Sequence, residues 1–138
     1  MSREVFLDTN VLIYAFASSD VREARAKAVV ANGGRISVQV VNEFIDVSRR
    51  KRGWSWDRVE QTLEVVHGLV GRPLSLTDET YRLAIRIARD HGFRIYDSLI
   101  ISAAKLAGCT VVMSEDMQAR QVVEGVEIRN PFMSPDAA

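Results

Sequence analysis

The chain has 138 residues, 47% of them apolar and 26% charged, with 18 Lys and Arg against 18 Asp and Glu. It is long enough to bury a core without staples, and its zero net charge excludes a protein that coats nucleic acid by bulk charge, so any such affinity has to come from local patches. One cysteine, Cys109, allows no internal disulfide, and with two histidines it argues against a Cys/His zinc cage. That cysteine usage, a first apolar run too short for a signal peptide and no run long enough to span a bilayer together set the expectation of a cytoplasmic protein.

Val5-Phe6-Leu7 reads as a buried strand that runs directly into Asp8. Val11 to Phe16 follows as a short helix capped by Thr9 or Asn10, and Ser18-Ser19-Asp20 caps a second helix to Ala31, stopped by Asn32-Gly33-Gly34. Arg35 to Val38 is a brief strand, and Val40 to Arg50 a helix whose buried arc holds Val40, Val41, Phe44, Ile45 and Val47, with Glu43 at its edge. Ser55 or Asp57 opens a fourth helix to about Val70. Arg72 to Leu76 is a weak strand, and Thr77-Asp78 caps a helix to His91 with Gly92 as its stop. Tyr96 to Ala107 is apolar almost all round, as an interior helix is. Thr110 to Met113 is a strand ending in Ser114-Glu115-Asp116. A short helix through Val122-Val123, a last strand Val126 to Ile128 and an irregular tail from Asn130 complete the chain. Strands alternating with helices predict a parallel sheet covered on both faces. No linker or repeat divides residues 1–138, which are expected to form one domain.

Four acids stand where a solvated surface acid is not expected. Asp8 and Asp116 follow strand ends, Asp97 opens an interior helix and Glu43 borders a buried arc. Each has a plainer reading as well: the aspartates as helix caps, Glu43 pointing to water. The ends of strands in one parallel sheet share an edge, however, and a cluster of carboxylates there needs positive compensation. With so little His and Cys, the fitting partner is a hard divalent cation held by oxygens, Mg2+ or Mn2+.

Phe6-Leu7-Asp8-Thr9-Asn10-Val11-Leu12, Gln39-Val40-Val41-Asn42-Glu43-Phe44, Tyr96-Asp97-Ser98-Leu99-Ile100 and Ser114-Glu115-Asp116-Met117 resemble, in order and across nearly the whole chain, the motifs of the PIN-domain nucleases. Within these the chain is most similar to the VapC-type ribonuclease toxins of toxin–antitoxin pairs. The resemblance implies a three-layer α/β/α sandwich with a central parallel sheet of about five strands, and Mg2+- or Mn2+-dependent endoribonuclease activity. It implies a catalytic, metal-binding quartet of Asp8, Glu43, Asp97 and Asp116, supported by Asn10 and Ser114. Glu115 competes with Asp116 for the fourth place, and Asp116 is preferred. Asp8 and Asp97 would hold the principal metal, Glu43 would bind it through water or orient the attacking water, and Asp116 would complete the shell or a transient second site. In-line attack would leave a 5′-phosphate and a 3′-hydroxyl. A homodimer and a VapB-like antitoxin that drapes over the acids, often delivering an arginine, are implied as partners.

Arg49, Arg50, Lys51 and Arg52, with Trp54 and Trp56 just after, form the one basic cluster with aromatics beside it. They read either as a guide for RNA, with a Trp stacking on a base, or as cations that complement a helix C-terminus while the Trp residues pack. Arg82, Arg86 and Arg89 read as a solvated helix face, and the apolar faces of the second and fourth helices as core before dimer surface. Two rivals remain. A haloacid-dehalogenase-type phosphatase also opens on a strand and an Asp, but it needs a second Asp where Asn10 stands. A non-catalytic PIN-like RNA- or protein-binding domain would have lost acids that this chain retains.

Overall fold

The computed structural model describes residues 4–133, so residues 134–138 of the expected tail lie outside it. The elements run β1 (Val5–Leu7), α1 (Thr9–Phe16), α2 (Glu23–Ala31), α3 (Val38–Arg50), α4 (Trp56–Val70), α5 (Asp78–His91), α6 (Ile95–Leu106), β2 (Val111–Met113), β3 (Val122–Val123) and β4 (Val126–Arg129). The sheet has the order β1-β2-β4-β3, parallel except for the antiparallel β3. This is the expected α/β class. The two weak strands contribute one bridge each on the β1 side, Arg35 to Phe6 and Leu74 to Ser37, so the sheet continues there without full strands. Both segments are too short for more: α3 takes over at Val38, and Pro73 has no N–H to donate.

The central strands are apolar on both faces. Phe6, Leu7, Val112 and Ile128 are fully or almost fully buried, and they join one core cluster with Val11, Leu12, Phe44, Ile100 and Ile101. α6 packs on β2 and β4 with α5 outside it, while α1 sits between α2 and α3. The Ser102 hydroxyl donates to the Thr80 carbonyl at 2.7 Å and so ties α6 to α5 in the interior. Gly34 is required where the chain passes β1, because it has φ +151° and an added Cβ would come within 3.0 Å of the Val5 carbonyl oxygen.

Several boundaries differ from expectation for physical reasons. The helix expected through Val122-Val123 is instead strand β3, paired with β4 through the turn Glu124-Gly125. Both turn residues have positive φ, 54° and 82°, which is the geometry of a two-residue hairpin. Glu is an uncommon residue there, which hid the turn from the sequence. Arg86 meets its carboxylate at 2.8 Å and Lys105 its carbonyl at 2.9 Å. α1 begins at Thr9 and is capped by Asp8, not by Thr9 or Asn10. Asp20 does not cap α2; it accepts from the Arg22 backbone N–H at 2.9 Å in the turn before the helix, whose cap position is Arg22. Ser55 and Thr77 cap α4 and α5 as expected.

Candidate active site

The register of two strands builds the centre of the site. Leu7 pairs with Met113, so Asp8 and Ser114, each one residue past a strand end, emerge side by side at the same edge. The Asp8 backbone N–H bonds the Met113 carbonyl at 3.0 Å, and the Ser114 N–H bonds Arg129 at 2.9 Å. The Ser114 hydroxyl donates to Asp8 Oδ2 at 2.7 Å, and the Thr9 N–H donates to Oδ1 at 2.7 Å. The cap reading and the site reading of Asp8 therefore hold together: the side chain starts α1 and lines a cleft of about 540 Å3.

The other three acids of the quartet line the same cleft. Asn10 reaches across to the last motif, donating from Nδ2 to Asp116 Oδ2 at 3.1 Å and to Asp8 Oδ2 at 3.4 Å, and accepting the Glu115 N–H at 3.2 Å. An amide there bridges two carboxylates and has no proton to lend. The Asp116 N–H bonds the Ser114 hydroxyl at 3.2 Å, which fixes the turn that aims it. Glu115 points elsewhere: the Tyr14 hydroxyl and Arg22 Nε each meet its carboxylate at 2.7 Å. Asp116, not Glu115, is thus the acid of this pair in the cleft.

Glu43, on α3, accepts Gln39 Nε2 at 2.8 Å and the Thr9 hydroxyl at 3.3 Å. Gln39 Nε2 also donates to the Tyr96 carbonyl at 3.1 Å, linking α3 to the first turn of α6, where Asp97 sits. Gln39 Oε1 is buried without a partner among the described residues, a cost of about 1–3 kcal/mol that accompanies this aim. Asp97 lies in that first turn, where its charge complements the helix dipole, and pairs with Arg94 at 3.4 Å. No site role for Gln39 or Arg94 was legible in the sequence, and for Thr9 only that of a helix cap. Only spacing could have found them: Gln39 and Arg94 stand one helical turn before Glu43 and Asp97.

Burial is the largest cause that lifts the Asp8 pKa from 3.8 to about 6, and the charges of Glu43 and Asp116 push the same way against the Ser114 and Thr9 hydrogen bonds. Among the described residues no ion pair reaches Asp8, Glu43 or Asp116, and Asp97 has only Arg94, whose side chain is 83% exposed. Nor do three such side chains already close around one point. The all-oxygen donor set nevertheless fits a hard cation, since Mg2+ keeps several waters and needs only one or two carboxylates from a protein.

The basic cluster lies outside the cleft. Trp54 is 5% exposed, packing edge-on to Phe44 with centroids 5.9 Å apart, so it is a core residue and not a stacking surface for RNA. Arg49 donates to the Trp54 carbonyl at 2.6 Å and lies 4.2 Å over the exposed Trp56 ring, and Arg50 pairs with Asp46 at 2.9 Å. Lys51 and Arg52 are exposed. Of the other arginines, Arg86 is tied to Glu124 and Arg89 to Asp90.

These features define a class: an α/β sandwich whose acidic cleft opens at the C-terminal edge of its parallel strands. The chain belongs to the PIN domain family, whose sequence model matches residues 5–125. Its fold is similar to that of a toxin–antitoxin complex from Klebsiella pneumoniae, with a TM-score of 0.70 at 15% identity over 93% of this chain and 98% of that one. It is similar also to VapC20 of Mycobacterium tuberculosis, a toxin that cleaves the sarcin–ricin loop, at 0.66 and 17% over 81% and 91%. VapBC2 of Rickettsia felis, bound to a DNA fragment from its promoter, gives 0.65 and 16% over 91% and 97%. No curated protein matches the chain by sequence. Among the described residues no helix is long and apolar enough to cross a membrane.

Proposed function

We propose that this chain is a divalent-cation-dependent endoribonuclease, the toxin half of a VapBC-type pair. The observation that carries it is Asp8: a buried carboxylate with its pKa raised to about 6, pressed by Glu43 and Asp116 and with no ion-pair partner among the described residues. A bound Mg2+ or Mn2+ would neutralise these acids, lower the pKa of water and offset charge on a phosphate under attack. Asp8 and Asp97 are the ligands we assign, with Asp116 beside them. Ser114 and Thr9 hold the Asp8 oxygens, and Asn10 keeps Asp116 at Asp8. Glu43, held through both oxygens by Gln39 and Thr9, is the residue we assign to bind the metal through water or to orient the attacking water.

The likeness to toxin–antitoxin complexes supports an antitoxin partner, and a homodimer and a cytoplasmic site of action complete the same proposal. Lys51 and Arg52 are the cations we assign to RNA phosphate beyond the cleft. They follow the end of α3, at least about 10 Å along its axis from Glu43. The test is cleavage of a pool of single-stranded and structured RNA with Mg2+, Mn2+ or EDTA, beside Asp97→Asn. Cutting that needs the metal, yields 5′-phosphate ends and vanishes in the variant supports the proposal. Full activity in a folded Asp97→Asn protein sinks the assignment, and absence of both Mn2+ binding and cutting would point to an inert PIN-like scaffold.

A further inference from the structure

The segment that follows β4 returns to the loop carrying Asp116. The Ser114 N–H bonds the Arg129 carbonyl at 2.9 Å, so the loop and the end of β4 start side by side. Beyond β4 the chain turns: the Asn130 side-chain oxygen accepts the Phe132 N–H at 2.9 Å, and Arg25 on α2 donates to the Pro131 carbonyl at 2.9 Å. That turn sets the Phe132 ring edge-on to Tyr14, with centroids 5.1 Å apart. The Tyr14 hydroxyl donates to Glu115 at 2.7 Å, which closes a ring of contacts back to the loop. Arg22 touches both members of that pair, 2.7 Å from the Glu115 carboxylate and 5.0 Å from the Tyr14 ring centroid.

Tyr14 lies four residues after Asn10 on α1, so the two side chains stand on one face, a turn apart. Asn10 accepts the Glu115 N–H at 3.2 Å and donates to Asp116 Oδ2 at 3.1 Å, while Tyr14 holds the Glu115 carboxylate. Ser114 and Met117 on either side are buried, which pins the loop at its ends. We propose that Tyr14 and Phe132 are positioning residues, through which the segment after β4 braces Glu115 and thereby sets where Asp116 enters the cleft. Glu115 and Asp116 share one peptide bond. A released Glu115 carboxylate lets the Glu115 N–H leave Asn10, whose amide is also the contact that holds Asp116. The catalytic meaning of the brace rests on the nuclease reading; the brace itself does not.

Amide hydrogen exchange of the full chain reads the brace without metal or RNA. Tyr14→Phe keeps its ring on Phe132 and removes one hydrogen bond, so the Glu115 and Asp116 amides are expected to exchange roughly 2- to 13-fold faster, the range for one net hydrogen bond. Phe132→Ala should act in the same direction and add little in the Tyr14→Phe background, whereas Phe132→Tyr, which retains the ring, should stay within about twofold of wild type. Arg86→Gln loses an ion pair at the β3–β4 turn and controls for stability alone, leaving these two amides and cleavage unchanged. In RNA cleavage, Tyr14→Phe should lower kcat by the same factor with KM within about twofold, because Asp116 is displaced and the rest of the cleft is not. Wild-type exchange at Glu115 and Asp116 in both Tyr14→Phe and Phe132→Ala overturns the brace. Faster exchange with unchanged kcat confines it to the loop and overturns the positioning role. If wild type cuts no RNA, the nuclease reading fails and takes the positioning role with it, while the exchange rates still decide whether the brace exists.

Discussion

Glu115 and Asp116 are neighbours on one loop, yet their surroundings are opposite. Glu115 is fully engaged: a tyrosine hydroxyl and an arginine at 2.7 Å each hold its carboxylate, and Arg22 in turn lies 5.0 Å from the Tyr14 ring centroid. Asp116 has a neutral amide and the company of two more carboxylates. The first arrangement fixes a loop. The second leaves negative charge uncompensated, which is unfavourable unless something outside the chain supplies the missing cation. The fold thus places Arg22 beside the cleft on Glu115, while Arg94, which lines the cleft, meets Asp97 and not Asp8, Glu43 or Asp116.

Removing acids from the cleft should separate the two neighbourhoods most. Asp8→Asn or Asp97→Asn is expected to lower RNA cleavage by at least about 100-fold with the fold intact, as rate assays beside circular dichroism would show. Next in size is a pH effect. Folded Asp8 releases its proton near pH 6, against 3.8 for the ordinary group, so between those values the folded state binds more protons than the unfolded one. Stability without metal should therefore fall as pH rises through that window and stay low above it, by about 3 kcal/mol at ~1.4 kcal/mol per pH unit. Denaturant titrations at pH 4 and pH 7 in EDTA would measure it, and Asp8→Asn should lose that slope.

Glu115→Gln should cost about 1 kcal/mol by leaving Arg22 a weaker partner, whereas Asp116→Asn should leave stability within about 0.5 kcal/mol and reduce activity. Equal loss of activity in both would erase the contrast. Smallest is Lys51→Glu with Arg52→Glu: stability unchanged within about 0.5 kcal/mol, RNA affinity lower, and the salt slope reduced by about 2. An unchanged slope would remove those two cations from the RNA path.

The strand that runs into Asp8, the interior helix after Tyr96 and the motif order were legible because apolar runs and acids at their ends are local signals. The meeting of the four acids at one cleft was legible only as consequence of a parallel sheet. What stayed hidden depends on contacts distant in sequence. Trp54 looked available beside a basic run, but its burial against Phe44 is set by how α3 meets the chain before α4. The Glu124-Gly125 turn lacks the usual Asn-Gly signature, and Arg86 and Lys105, which meet Glu124, lie far upstream. The opposite fates of Glu115 and Asp116 follow from Tyr14, Arg22 and Asn10, which the fold alone brings to that loop.

The most direct test of the uncompensated cleft is thermal unfolding of wild type and Asp8→Asn at pH 7, in EDTA and across a Mn2+ titration. Wild type is expected to melt below Asp8→Asn in EDTA and to gain stability steadily with Mn2+, by about 2.7 kcal/mol at 100 times Kd, while the variant gains little. A wild-type melting temperature that ignores Mn2+, or an equal gain in both proteins, would contradict a cation site at Asp8.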